Sequence, residues 1–287
     1  MRIALDAKRA FFNHTGLGNY SRYAVGALAE AYPDNDYLLY ARKLPATLPD
    51  VCRLPDVRPV TPDTAGARML GPLWRHFGGL APQLRRDGAE IYHGLSNELP
   101  FDISRAGIPS VVTIHDLIFR RIPDNYKPVD RLLYDIKFRH AARAATRVIA
   151  ISERTKADII ELYGIPDDRI DVIYQGCDPL FSRPVTRETL DEVKALYHLP
   201  ERYIVSVGTL EQRKNQLLAV EALPMLPPDV RLVTVGRERN SYGRLLDSRI
   251  DALGLGDRVM RLHGVPTSHL PALYALATAA SYTSRYE

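Results

Sequence analysis

The apolar positions of this chain change period in a regular order. Short runs rich in branched and aromatic residues at 2–7, 90–93, 110–115, 147–152 and 172–174 read as buried strands. Leu17, Tyr20, Ala24, Ala27, Leu28 and Ala31 recur at helical spacing and predict a helix over residues 17–32. Pro33 ends it, and Asp34-Asn35-Asp36 turns into a further strand at 37–41. Ser152 caps a helix that runs towards Tyr163 and stops at Gly164 and Pro166. Strands alternating with helices predict an α/β class with a parallel sheet covered on both faces.

The pattern then pauses and restarts. From Gln175 to Pro200 the chain gathers Gly176, Pro179, Pro184 and Pro200 around one short helical piece, which predicts a linker over 179–200. Beyond it, strands at 203–207, 230–235, 258–262 and 278–282 alternate with helices at 214–223, 243–253 and 268–276. The expected organisation is two Rossmann-like, doubly wound domains, 1–178 and 201–287, each with its own parallel sheet.

Composition supports two cores without naming their task. A chain of 287 residues with 46% hydrophobic residues exceeds one ordinary domain. The net charge of +4 invites a polyanion partner, but zinc-finger spacing and RNP-like aromatics are lacking, so nucleic acid is not expected. Cys52 and Cys177 form no ligand spacing, which suits a reducing compartment. The first residues enter a strand at once, with no signal-peptide layout, and a cytoplasmic protein is the expectation. No apolar run approaches the ~20 residues needed to span a bilayer.

Polar residues at strand ends are the candidates for chemistry, because ligands of open parallel sheets sit there. Tyr203-Ile204-Val205-Ser206-Val207 breaks at Gly208 and hands over to Arg213 and Lys214, read here as the start of a helix. A guanidinium fork and an ammonium at a helix N-terminus suit a diphosphate. Gly16 and Gly18 stand at another strand-to-helix turn, although Ser21 replaces the third glycine of a dinucleotide fingerprint. His115 ends its strand in Thr113-Ile114-His115-Asp116, with Asp116 a capping or orienting neighbour; His93 ends another and reads as a structural histidine. Asp34-Asn35-Asp36 spells a pattern that elsewhere holds a divalent cation, but a turn accounts for it and no metal is expected. Arg68, Trp74, Arg75, Phe77, Arg85 and Arg86 make residues 68–86 a basic and aromatic patch, suited either to an anionic membrane surface or to a core tryptophan under a solvated face. Arg131, Arg139, Arg143 and Arg147 read as one helix, its last three arginines a solvated line.

The segment Val207-Gly208-Thr209-Leu210-Glu211-Gln212-Arg213-Lys214-Asn215 resembles the phosphate-binding segment of glycosyltransferase family 4, the large retaining group of the GT-B fold. The resemblance extends through the Gly16–Gly18 loop, the T-I-H-D segment, and a final Glu287 matching the first Glu of the family's E-G-F-G-x-P-x-x-E. It implies two Rossmann-like domains facing across a cleft. It also implies a retaining hexosyltransferase that moves a sugar, with mannose suggested, from a GDP- or UDP-linked donor to a glycan or lipid-linked acceptor in cell-surface polysaccharide synthesis. Gly236, His263, Gly264 and Val265 would face the nucleotide, His115 the donor sugar and Glu287 its hydroxyls. Arg213 and Lys214 would stabilise the departing diphosphate without a metal or other cofactor, and the N-terminal domain would meet the membrane peripherally through 68–86. The chain stops one residue into the family's sugar-binding loop, so it reads as part of a longer protein whose remainder covers an apolar face of the 243–253 helix. Two rivals stand beside this reading: a nucleotide-dependent Rossmann oxidoreductase, and a truncated, non-catalytic binding protein of the same fold.

Overall fold

A computed structural model describes residues 1–238 and 241–286. The chain divides into two compact units, 1–176 and 177–287. In the first, β1 (Arg2–Asp6), α1 (Lys8–Phe12), α2 (Gly16–Ala31), β2 (Asp36–Tyr40), β3 (Val57–Val60), α3 (Ala65–Met69) and α4 (Leu80–Arg86) are followed by β4 (Ile91–Gly94), β5 (Ser110–Ile114), α5 (Ile118–Arg121), α6 (Pro128–Ala144), β6 (Arg147–Ala150), α7 (Glu153–Tyr163) and β7 (Ile170–Val172). The seven strands are parallel in the order β3-β2-β1-β4-β5-β6-β7. Side chains alternate across the pleat, so Ala4, Leu38 and Tyr40 enter one core while Leu5, Tyr37 and Leu39 enter the other. Both faces are buried, which explains the near-continuous apolar runs.

The second unit contains α8 (Arg187–Leu196), β8 (Tyr203–Val207), α9 (Gln216–Ala222), β9 (Arg231–Val235), α10 (Tyr242–Ala252), β10 (Val259–Leu262), α11 (Leu270–Leu276) and β11 (Ala279–Ala280). Its parallel sheet runs β10-β9-β8-β11. Two Rossmann-like parallel-sheet units are therefore present, as the alternation of periods predicts.

The structure corrects several expectations. The stretch 179–200 is no linker: α8 folds into the second unit, with Val193 and Leu199 buried beside Tyr203 and Leu273. The unit boundary accordingly falls after Gly176 rather than after residue 178. Helix α10 leaves no uncovered apolar stripe, because Tyr242, Leu246 and Ile250 pack into the core that holds Leu232 and Val220. Arg147 opens β6, as the strand expected at 147–152 has it, and so does not belong to the helix of Arg131, Arg139 and Arg143; it pairs with Asp171 on β7 at 2.5 Å. The strand expected at 278–282 is reduced to β11.

Candidate active site

In each sheet the strand order reverses once, and the crevice outside the carboxyl ends of the strands at that reversal is where open α/β sheets hold ligands. In the first unit the reversal lies between β1 and β4. Asp6 ends β1, the loop 95–99 follows β4, and His115 follows the adjacent β5. In the second unit it lies between β8 and β11, which places the turn after β8 and residues 281–286 at that edge.

His115 is almost fully buried, and both of its ring nitrogens are engaged. Nε2 lies 2.9 Å from the Leu95 carbonyl oxygen. A carbonyl only accepts, so Nε2 carries the hydrogen, and Nδ1 in turn accepts from the Gln175 amide at 2.8 Å. Burial lowers the pKa of His115 to about 4, with Arg9 adding to the effect against the Leu95 bond, so the ring is neutral near pH 7. Tyr20 of α2 stands edge-on to it at 4.6 Å and bonds Thr113, which also meets His93. Asn97, left-handed at φ 62°, accepts from the His115 backbone N–H. The strand-end position of His115 thus leads to a real cluster, but Tyr20, Asn97 and Gln175 come to it from elements that no local pattern connects to His115. Asp116 accepts from the Ile118 N–H, as a cap does.

Gly16 and Gly18 do not follow β1 directly, because α1 intervenes and α2 begins at Gly16. A Cβ on Gly18 would stand 1.8 Å from the Asn13 carbonyl oxygen, so backbone packing within the loop requires this glycine. Nothing lies near a Cβ built on Gly16.

At the β1–β4 reversal lies a buried ion network. Arg75 meets Asp6 at 2.6 Å and Glu98 at 2.7 Å, and Lys137 approaches Glu98 at 3.4 Å. Burial alone would raise the Glu98 carboxyl, but Arg75 and then Lys137 outweigh it and hold its pKa at about 2. Trp74 beside Arg75 is fully buried, so neither residue belongs to a membrane-facing wedge. The most exposed apolar residues of this stretch are Met69 at 88%, Leu73 at 54% and Phe77 at 51%. Phe77 stacks on Phe101, which packs against His140 of α6. Val129, Leu132, Leu133 and Ile136 of the same helix are also exposed.

In the second unit Arg213 and Lys214 sit on a turn that precedes α9, not in its first helical turn, since the helix begins at Gln216 after left-handed Asn215. Arg213 donates to Glu211 Oε1 at 2.8 Å and to the Tyr286 carbonyl at 3.0 Å. The Lys214 ammonium meets the Tyr282 hydroxyl at 2.5 Å and lies 4.7 Å from that ring's centre. Thr283 and Ser284 donate to the backbone carbonyls of the same turn. The basic pair is therefore held against residues 282–286 at the sheet's reversal. Gly208 and Gly236 complete the rim: a Cβ on Gly236 would fall 1.9 Å from the Gly208 carbonyl oxygen, so the two strand ends meet backbone to backbone. His263 Nδ1 donates to the Gly236 carbonyl at 2.8 Å, bringing the β10 end to the same rim, where Gly264 takes φ 67° and Val265 packs on the core below. Glu287 lies outside the described residues. Asp36 of the D-x-D pattern is engaged by Arg2 and Arg58. Among the described residues no group of three or more His, Cys, Asp or Glu side chains is placed to hold a metal ion.

Residues 15–180 match the model of Glycosyltransferase Family 4, and residues 189–287 that of Glycosyl transferases group 1. The chain belongs to Glycosyltransferase Family 4. Among relatives of this family, the O-antigen chain mannosyltransferase B of Escherichia coli is 29% identical, aligning with the whole of this chain and 77% of its own length. The alpha-D-kanosaminyltransferase of Streptomyces kanamyceticus is 26% identical over 82% of this chain and 65% of its own. The fold is GT-B. Sucrose-phosphate synthase of Thermosynechococcus elongatus superposes with a TM-score of 0.73 at 19% identity, covering 100% of this chain and 76% of that one. HepE of Anabaena, solved with UDP and glucose, gives 0.70 at 21% identity over 99% and 74%. Among the described residues no helix is long and apolar enough to cross a membrane.

Proposed function

We propose that this glycosyltransferase moves a hexosyl residue, mannose in the first instance, from a GDP- or UDP-linked donor to a glycan or lipid-linked acceptor, with retention. The observation that carries the reading is the Arg213–Lys214 turn set beside Gly208 and Gly236 at the reversal of the second sheet. Two cations and close-packed backbone there suit a diphosphate. The mannosyl assignment is supported by the O-antigen chain mannosyltransferase named above. In the proposed step the acceptor hydroxyl attacks the anomeric carbon on the face that the diphosphate leaves. The carbon–oxygen bond to phosphate breaks, and the leaving phosphate oxygen takes the hydroxyl proton. Arg213 and Lys214 stabilise the charge that develops on that oxygen, and Glu287 orients the sugar hydroxyls.

The test is transfer by the full chain from GDP-mannose, UDP-glucose and related donors to mannose-containing oligosaccharides, in the presence of EDTA, with the product anomer read by NMR. Turnover with one donor, retained configuration and no metal requirement are expected. An inverted product, or activity abolished by EDTA and restored by Mn²⁺, would contradict the mechanism; no transfer from any donor would remove the function.

We propose also that the first unit touches anionic membranes peripherally through Met69, Leu73 and Phe77 of the 68–86 patch, extended by Val129, Leu132 and Ile136 of α6. These side chains are exposed, and Phe101 and His140 join the two segments. Arg68, Lys127 and Arg131 flank them with positive charge. Replacing Phe77 and Leu132 together by Ser is expected to weaken partitioning to phosphatidylglycerol vesicles by about tenfold or more, from the apolar area lost. Unchanged sedimentation with vesicles would exclude this surface.

A further inference from the structure

His115 is the strand-end residue expected to meet the donor, yet its ring is closed off by protein on both nitrogens. The two closures differ. Leu95 is a buried backbone acceptor in the loop that follows β4, fixed by the sheet. Gln175 is an exposed side chain one residue from the end of the first unit, just beyond β7. The Nδ1 side of the ring is thus the side that an exposed side chain covers, and a ligand atom reaches His115 only by replacing that amide.

We infer that Gln175 is a positioning residue: with the Leu95 carbonyl it holds His115 as the neutral ring protonated at Nε2, so that Nδ1 meets a ligand solely as a hydrogen-bond acceptor. A group that replaces the Gln175 amide must then be a donor. A sugar hydroxyl meets this requirement; a fully ionised diphosphate, which only accepts, does not. The inference rests on the transferase reading for the identity of the hydroxyl, and adds to it which ring nitrogen accepts and which side chain covers that nitrogen. The groups around the ring agree in disfavouring a second proton: Arg9 is cationic, His93 has its own pKa lowered to about 4 by burial and by His115, and Tyr20 is a half-buried phenol whose pKa desolvation raises.

The test compares Q175E and Q175L in the full chain with the unaltered protein. A carboxylate at 175 accepts only, so Nδ1 must gain a proton while Nε2 keeps its own for Leu95, and the ring becomes an imidazolium. In ¹⁵N-histidine NMR at neutral pH, His115 is expected as the Nε2–H tautomer in the unaltered protein and in Q175L, and doubly protonated in Q175E. Donor KM is expected to rise about tenfold in Q175E, the cost of one lost acceptor, with a smaller change in Q175L. A ring that stays neutral in Q175E overturns the inference, and so does a doubly protonated ring with donor KM unchanged. The ring state is read without substrate, so absence of transfer by the unaltered chain counts against the proposed function, and the NMR arm alone then decides this one.

Discussion

Arg213→Ala and Lys214→Ala are each expected to lower kcat by about tenfold to a hundredfold, the range for removing a donor aimed at charge that develops in the transition state. The drop should fall mainly on kcat, with donor KM less affected, because the charge on the leaving oxygen grows as the bond breaks. The surroundings of both residues set the controls. Arg213 also holds Glu211 and the Tyr286 carbonyl, and Lys214 also holds Tyr282, so part of any loss can arise from release of residues 282–286. Arg213→Lys keeps the charge and loses the fork. It should recover part of the turnover if charge is the agent. Turnover unchanged in either alanine variant rules out a leaving-group role for that residue.

Arg75→Met is expected to destabilise the first unit by about 3–5 kcal/mol, since it takes the guanidinium from two buried carboxylates and leaves only Lys137 beside Glu98. Asp6 is 1% exposed and Glu98 8%, and Arg75 lies within 2.7 Å of each. For a unit of this size that corresponds to a fall of roughly 10 °C in its melting transition. The pH dependence gives a second readout. Glu98 has its folded pKa depressed from an ordinary 4.5 to about 2, so its stabilisation is complete above the ordinary value and is lost as pH falls towards 2. His76, His93 and His115, each lowered from 6.5 to about 4 with burial the first cause, begin a separate loss between those values. In Arg75→Met the Glu98 part of this acid response should shrink, because Lys137 then remains without the guanidinium that contributes most to keeping the carboxyl ionised. A melting transition unmoved by the substitution would show the network to be energetically idle.

Much of the fold was legible because it is written in short windows. The run Tyr203–Val207 is a strand at the expected residues, and Ser152 accepts from the Thr155 N–H as the cap of α7, which ends at left-handed Gly164. Where windows mislead, the cause is specific. Strand β3 carries Pro59 within a run of four, which hides it from a local pattern, and it sits at the sheet's edge, where a proline is tolerated. The proline-rich stretch before Pro200 reads as a linker, yet α8 within it has an apolar stripe that finds α11 and the β8 face.

The sequence by itself determined the class of the fold, the two parallel sheets and the basic turn after β8, because apolar period, caps and glycine breaks act over a few residues. Only the tertiary structure decided what surrounds those points. Arg75 reaches Asp6 across 69 positions of chain and Gln175 reaches His115 across 60. Such pairs are set by which strands lie side by side and where their ends converge, and no local spacing encodes that.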